Sequence, residues 1–129
     1  DGNENTLFAD VELWLSTPGY ADYIIPQVYF GFENQSLPFE KTAKRWASVS
    51  DGRVGIIWGL AAYKCGTQDK NAWSGSSEWA ENSDIIARQL SFVRPLNAYC
   101  GFALFSYSYM FGKINENAKK EMQNLENML

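Results

Sequence analysis

The stretch Arg53-Val54-Gly55-Ile56-Ile57-Trp58-Gly59-Leu60-Ala61-Ala62-Tyr63-Lys64-Cys65-Gly66 decides the fold of this chain. It follows an Asp51-Gly52 turn, stays nearly continuously apolar and stops at a glycine. Such a run reads as a strand buried on both faces, the kind that parallel sheets contain. Two flanking runs look alike, Tyr23 to Phe32 (YIIPQVYFGF) and Cys100 to Phe111 (CGFALFSYSYMF). Each is preceded by a segment with helical spacing of its apolar residues. Buried strands alternating with helices imply an α/β fold of order αβαβαβα. Its sequential strands are then parallel and joined by right-handed crossovers.

Working outward, Asn5 to Ser16 reads as one helix, with Leu7, Val11, Trp14 and Leu15 at helical spacing and Thr17-Pro18-Gly19 as its stop. The first strand runs from Tyr23 to about Gly31. Pro26 withholds a ladder donor within it and marks a bulge or an unpaired position. A second helix spans Pro38 to about Val49, with Phe39, Ala43, Trp46 and Val49 as its buried stripe. Ser83 caps a third, Asp84 to about Arg94, whose Ile86, Leu90 and Val93 face inward. The third strand runs from Gly101 to about Tyr109. The last helix is capped by Asn115 and continues through Leu129.

At 129 residues, 46% hydrophobic and 20% charged, the chain is one globular domain or part of a larger one. It opens without an initiator Met and reads as an excised or processed piece. No signal peptide is expected from these residues, and no apolar stretch reaches the ~20 residues needed to span a bilayer. The balance is acidic, 11 Lys+Arg against 15 Asp+Glu. The clusters Lys41/Lys44/Arg45 and Lys119/Lys120 read as solvated helix faces, so a nucleic-acid partner is not expected. There is no histidine. That removes Ser-His-Asp and Cys-His pairs and most zinc sites, leaving acid-base chemistry to carboxylates, Lys or Tyr. No metal and no cofactor is expected. Cys65 falls at the end of one strand and Cys100 at the start of the next, too far apart for a bridge, so both read as free thiols.

The strands begin near residues 22, 53 and 101, and the second strand-helix unit is about 17 residues longer than the first. The extra residues fall between Gly66 and Asn82 and include Trp73 and Trp79. A long loop with two large aromatics is a functional surface unless those rings merely pin it to the body. Ligand sites in such folds gather at the carboxyl ends of the strands. Here those ends carry Tyr29, Phe30 and Glu33, then Tyr63 and Lys64 with the long loop, then Tyr107 and Tyr109.

The segments DYIIPQVYFGFEN (22–34), GLAAYK (59–64) and GFALFSY (101–107) resemble the C-terminal part of the family-10-like bacterial glycosyl hydrolases. The helix with Trp46 and the stretch EWAENSDIIARQ (78–89) fit the same pattern, so the resemblance covers essentially the whole chain in order. It implies a partial (β/α)8 barrel of which residues 1–129 are strands six, seven and eight with their helices. A full barrel needs about 250 residues, which makes the N-terminal part of the barrel an expected partner. The resemblance further implies a secreted or cell-surface enzyme acting on cell-wall or other polysaccharide.

Glycoside hydrolysis normally takes two carboxyl groups. Glu33, just past the first strand, is the best-placed candidate, with a loop cap or salt bridge as its alternative role. Asp69, Glu78 and Glu81 lie in the long loop. Tyr29, Tyr63 and Tyr107 are candidates for substrate contact, because aromatic faces stack on sugar rings while hydroxyls give directional hydrogen bonds. Their alternative role is barrel filling. Strand alternation puts Gln27 beside Tyr29 on the interior, with small residues at 59 and 61 leaving it room. Lys64 orients a hydroxyl or carboxylate, or is a solvated rim lysine. Trp73 completes the candidate substrate-binding set. Three readings result: a glycoside hydrolase fragment that lines the cleft and is inactive alone, a non-catalytic carbohydrate-binding module, and a self-associating structural domain that dimerises.

Overall fold

The computed structural model describes residues 2–129. Three parallel strands form one open sheet in the order β1-β2-β3, an arrangement consistent with part of an α/β barrel. β2, Gly55–Leu60, is central. Tyr23 and Ile24 of β1 pair with Gly55 and Ile56, and β3, Tyr99–Leu104, lies on the other side. The β2–β3 register shifts between Ile56 and Ile57, where Cys100 is the extra residue. Gly101 follows with φ +147, a left-handed conformation that suits glycine, so the bulge costs little.

Alternation along β2 separates two environments. Ile56, Trp58 and Leu60 are fully buried beneath the helices. Each contributes on the order of 1.5–3 kcal/mol by leaving water. They share a core with Phe39 and Ala43 of α3 (Phe39–Ser50), Ile86, Leu90 and Val93 of α5 (Ile85–Val93), and Ala118 and Leu125 of α7 (Glu116–Glu126). The other face is uncovered. Tyr23 is 56% exposed, Ile25 49% and Phe105 55%. A Cβ built on Gly55 would touch the side chains of Cys100 and Tyr23, which puts all three positions on this open face.

Several boundaries differ from the sequence expectation. The N-terminal helix is two short ones, α1 (Gly2–Leu7) and α2 (Val11–Ser16). Phe8 turns left-handed between them at φ +53, and the Asp10 carboxylate accepts from Leu13 N at 2.9 Å to start α2 afresh. β1 is two residues long and does not reach Gly31. Its ladder breaks at Ile25-Pro26 and returns as a single bridge between Gln27 and Gly59. Pro26 lacks an N–H but its carbonyl accepts from Gly59 N at 3.1 Å, so the proline marks the predicted interruption. β3 begins earlier and ends at Leu104, and α6 (Ser108–Phe111) takes Tyr109 off the strand. On α3 the buried stripe is Phe39, Ala43, Ala47 and Ser50, with Trp46 and Val49 half-buried beside it. α7 stops at Glu126, short of Leu129. Asn115 caps it as expected, accepting from Ala118 N at 2.9 Å. Both cysteines carry free thiols, and burial pushes the Cys65 thiol up to about 12.

The expected Ser83 cap on α5 is not made. Asp84 occupies the cap position without a side-chain bond, and Glu121 reaches across from α7 instead. Its Oε1 accepts from Ile86 N at 3.2 Å, while Oε2 is buried without a partner. Burial pushes the Glu121 carboxyl up to about 7, despite the backbone N–H groups that favour its ionised form. An unfolded glutamate titrates near 4.3, so between about 4.5 and 7 the folded state holds the proton and the unfolded state does not. Stability therefore falls as pH rises through this window, by on the order of 3 kcal/mol in total. Urea unfolding across that range is expected to show the decline in the native sequence and a flatter profile in Glu121→Gln. Equal pH slopes in the two proteins would contradict this assignment.

Candidate functional site

Each strand delivers an aromatic ring to the same rim. The Tyr29 ring, past β1, lies 5.8 Å edge-on from Tyr63 and stacks on Phe105 at 6.0 Å. Tyr63, on the single 3₁₀ turn Ala62–Lys64 that follows β2, is 6.2 Å from Phe105 and 6.1 Å from Tyr109. Backbone bonds hold the strand ends together. Phe105 N donates to Leu60 O at 2.9 Å, and Tyr63 N to Phe105 O at 3.1 Å. Burial raises both tyrosine phenols, and the negative charge of Asp69 adds to the rise at Tyr63. Both hydroxyls thus stay protonated near neutrality and serve as donors as well as acceptors.

The long segment 66–82 is tied to this rim by two buried carboxylates. Lys64 Nζ donates to Asp69 Oδ2 at 2.5 Å and to the Tyr29 carbonyl at 2.7 Å. The two side chains are only 14% and 4% exposed. Asp69 Oδ1 accepts from Asn71 N at 3.1 Å, which closes the local turn. Glu78, on α4 (Glu78–Glu81), accepts from Phe32 N at 2.9 Å and Glu33 N at 3.0 Å. Burial raises its carboxyl, and those two N–H bonds oppose the rise. A Cβ at Gly31 would collide with the Glu78 carboxylate and crowd the Trp79 indole, so this approach requires glycine. Trp79 is buried and pins the segment to the body.

A pocket of about 420 Å³ opens here, lined by Gln27, Tyr29, Asn34, Tyr63, Lys64 and Asn71 among others. Four of the expected contact residues, Gln27, Tyr29, Tyr63 and Lys64, thus share one cavity. A Cβ at Gly59 would sit 2.8 Å from the Pro26 carbonyl, so only glycine lets the chain before Gln27 pack this closely. Glu33, Trp73 and Tyr107 do not line the pocket. The Glu33 amide is clamped by Glu78 while the residue is exposed. Trp73 is 70% exposed at the tip of the segment, in a left-handed conformation at φ +55. Tyr107 is exposed and packs on Phe111 at 4.8 Å.

The anchoring roles of Asp69 and Glu78 are not visible in the sequence, which shows them only as loop carboxylates. Lys64 is not a solvated rim lysine, because its ammonium is held between Asp69 and the Tyr29 carbonyl. Lys64 and Asp69 are the charged side chains lining the pocket, and each neutralises the other. Among the described residues no group of three or more His, Cys, Asp or Glu side chains converges as a metal site. Among them, too, no helix is long and apolar enough to cross a membrane.

The chain is related to proteins named glycosyl hydrolases. It is 30% identical over 106 residues to glycosyl hydrolase DigH of Escherichia coli O6:H1, a match covering 80% of this chain and 23% of that protein. The DigH of E. coli K12 matches over the same extent at 29%. Glycosyl hydrolase YngK of Bacillus subtilis is 30% identical over 93 residues, 71% of this chain and 18% of that protein. The chain therefore matches less than a quarter of the length of these relatives. No protein-family profile matches it. No solved structure matches it either.

Removing the ammonium would leave Asp69 charged and buried without its partner. Lys64→Met is expected to cost about 3–5 kcal/mol in chemical denaturation, and Lys64→Met with Asp69→Leu to recover most of that loss. A single variant costing under ~1 kcal/mol would show the pair to be solvated after all.

Proposed function

We propose that this chain forms part of the substrate cleft of a larger glycoside hydrolase acting on cell-wall or other polysaccharide. In this reading it supplies the last three strands of a family-10-like (β/α)8 barrel, and the whole enzyme works outside the cell or at its surface. The observation that carries the proposal is the convergence of Tyr29, Tyr63 and Phe105 from three parallel strand ends, beside a pocket that Tyr29 and Tyr63 line together with Gln27, Lys64 and Asn71. Kinship to proteins named glycosyl hydrolases supports the same chemistry.

Half-buried tyrosine faces present apolar area to the C–H face of a pyranose, while their protonated hydroxyls and the Gln27 and Asn71 amides address its hydroxyl groups. Trp73 and Tyr107, both exposed, extend the contact to further sugars along a polysaccharide chain. Glu33 is the proposed catalytic carboxylate. Hydrolysis by protonation of the leaving oxygen needs a second carboxyl group facing the first across the bond. Asp69 and Glu78 are committed to Lys64 and to backbone amides, so the second group comes from the remainder of the barrel. On this account the chain binds glycan but does not turn it over alone.

The binding reading is checked by titration with cello- and chito-oligosaccharides, followed by tyrosine fluorescence or calorimetry. Saturable binding is expected, weakened about tenfold or more by Tyr63→Ala, since one stacked ring contributes on the order of 1–2 kcal/mol. In the whole enzyme, Glu33→Gln is expected to abolish reducing-sugar release while leaving binding intact. Retained turnover in that variant would remove Glu33 from the catalytic role.

A self-associating role is the second reading, favoured by the uncovered sheet face and by the edge of β3, which carries no Pro and no charge. The isolated chain is then expected to dimerise with rising concentration. A monomer by light scattering at high concentration would count against it.

A further inference from the structure

We infer that this pocket selects an uncharged sugar residue, and that the Lys64–Asp69 pair sets the selection. The inference rests on the glycan-cleft reading and names the class of sugar that the site accepts. A lone lysine lining a sugar pocket would recruit a carboxylate-bearing sugar such as a uronate. Here the ammonium is already engaged on two sides, by Asp69 Oδ2 at 2.5 Å and by the Tyr29 carbonyl at 2.7 Å.

Asp69 is in turn fixed from behind. Its other oxygen accepts from Asn71 N at 3.1 Å, and its own N–H donates to the Ser76 carbonyl at 2.8 Å. The ion pair is therefore a built part of the segment and not a transient surface contact. Both side chains are largely withdrawn from water, so their mutual attraction is poorly screened and hard for an incoming anion to displace. What remains to meet a ligand is neutral: two protonated tyrosines and the amides of Gln27 and Asn71, the Asn34 carboxamide oxygen being already engaged by Ser36 N and Leu37 N. Lys41 and Arg45 line the neighbouring groove beside α3 instead, and Arg45 is paired there with Glu12.

A sugar carboxylate entering this pocket would lose its water without gaining a cation. A neutral hexose or N-acetylhexosamine loses only hydroxyl and amide hydration, which the pocket's amides and phenols replace in kind. Selectivity follows from the absence of an available positive charge as much as from contacts made with the preferred sugar.

The test compares cellotetraose and chitotetraose, both neutral in charge, with tetragalacturonate, by calorimetry at low and at physiological ionic strength. The native sequence is expected to bind a neutral tetrasaccharide about tenfold or more tightly than tetragalacturonate, with little dependence on salt. Asp69→Asn releases the ammonium, so tetragalacturonate binding is expected to tighten about fivefold or more and to become salt-sensitive. The double variant Lys64→Gln/Asp69→Asn is neutral again and is expected to keep the native preference, which guards against a single variant that misfolds. Native binding of tetragalacturonate as tight as that of the neutral sugars would overturn the inference while leaving the glycan cleft standing. So would an unchanged preference in folded Asp69→Asn. Failure to bind any of the three tetrasaccharides would overturn the cleft reading itself, and this inference with it.

Discussion

Parallel pairing of β2 on both of its edges is the constraint from which the rest of this structure follows. With β1 on one side and β3 on the other, all three strands leave the sheet at the same end. Burial of Ile56, Trp58 and Leu60 under α3, α5 and α7 makes that arrangement expensive to change, because slipping β2 by one residue would turn those three side chains onto the open face. The rim inherits its precision from this core. Tyr63 follows β2 within a single 3₁₀ turn, and Phe105 is still hydrogen-bonded to Leu60 when its ring meets Tyr29.

The long segment between β2 and α5 converts that rim into a pocket. Its anchoring is electrostatic on the side facing the cavity and apolar on the side facing the body. Asp69 and Glu78 reach back to Lys64 and to the amides of Phe32 and Glu33, while Trp79 is buried behind them. A buried ion pair of this kind is weak evidence for net stability, since desolvation offsets much of the attraction. Its value here lies in fixing one position for a segment that has little regular structure of its own. Gly31 is part of the same device, because a side chain there would displace the Glu78 carboxylate from its place against the Phe32 and Glu33 amides.

Much of this was legible in the sequence where one signal dominated. The apolar run at 53–66 yielded β2, the proline at 26 marked the break in the first ladder, and Asn115 identified the start of α7. Four of the expected contact residues, Gln27, Tyr29, Tyr63 and Lys64, do line one pocket. Legibility failed where a short apolar run suits a helix as well as a strand. The run from Cys100 to Phe111 carries no polar break strong enough to show that the chain turns after Phe105 and coils as α6, which leaves Tyr107 off the strand and outside the pocket lining. It failed again at Phe8, where a local left-handed residue divides a periodic helix and the Asp10 carboxylate starts a second one. The Tyr29 carbonyl that Lys64 meets lies 35 residues away along the chain, the amides that Glu78 meets 46 and 45, and the amide that Glu121 meets 35. No periodicity reports contacts of that range.

The central claim is that the carboxyl ends of the three strands form one glycan-facing rim. Amide NMR during titration with chitotetraose and cellotetraose tests it most directly. The account predicts that shifts concentrate at residues 27–34, 61–71 and 105–107, with Asp22, Arg53 and Asn97 at the opposite end of the sheet unmoved. Shifts centred on that opposite end, or on the outer faces of α3 and α7, would contradict it.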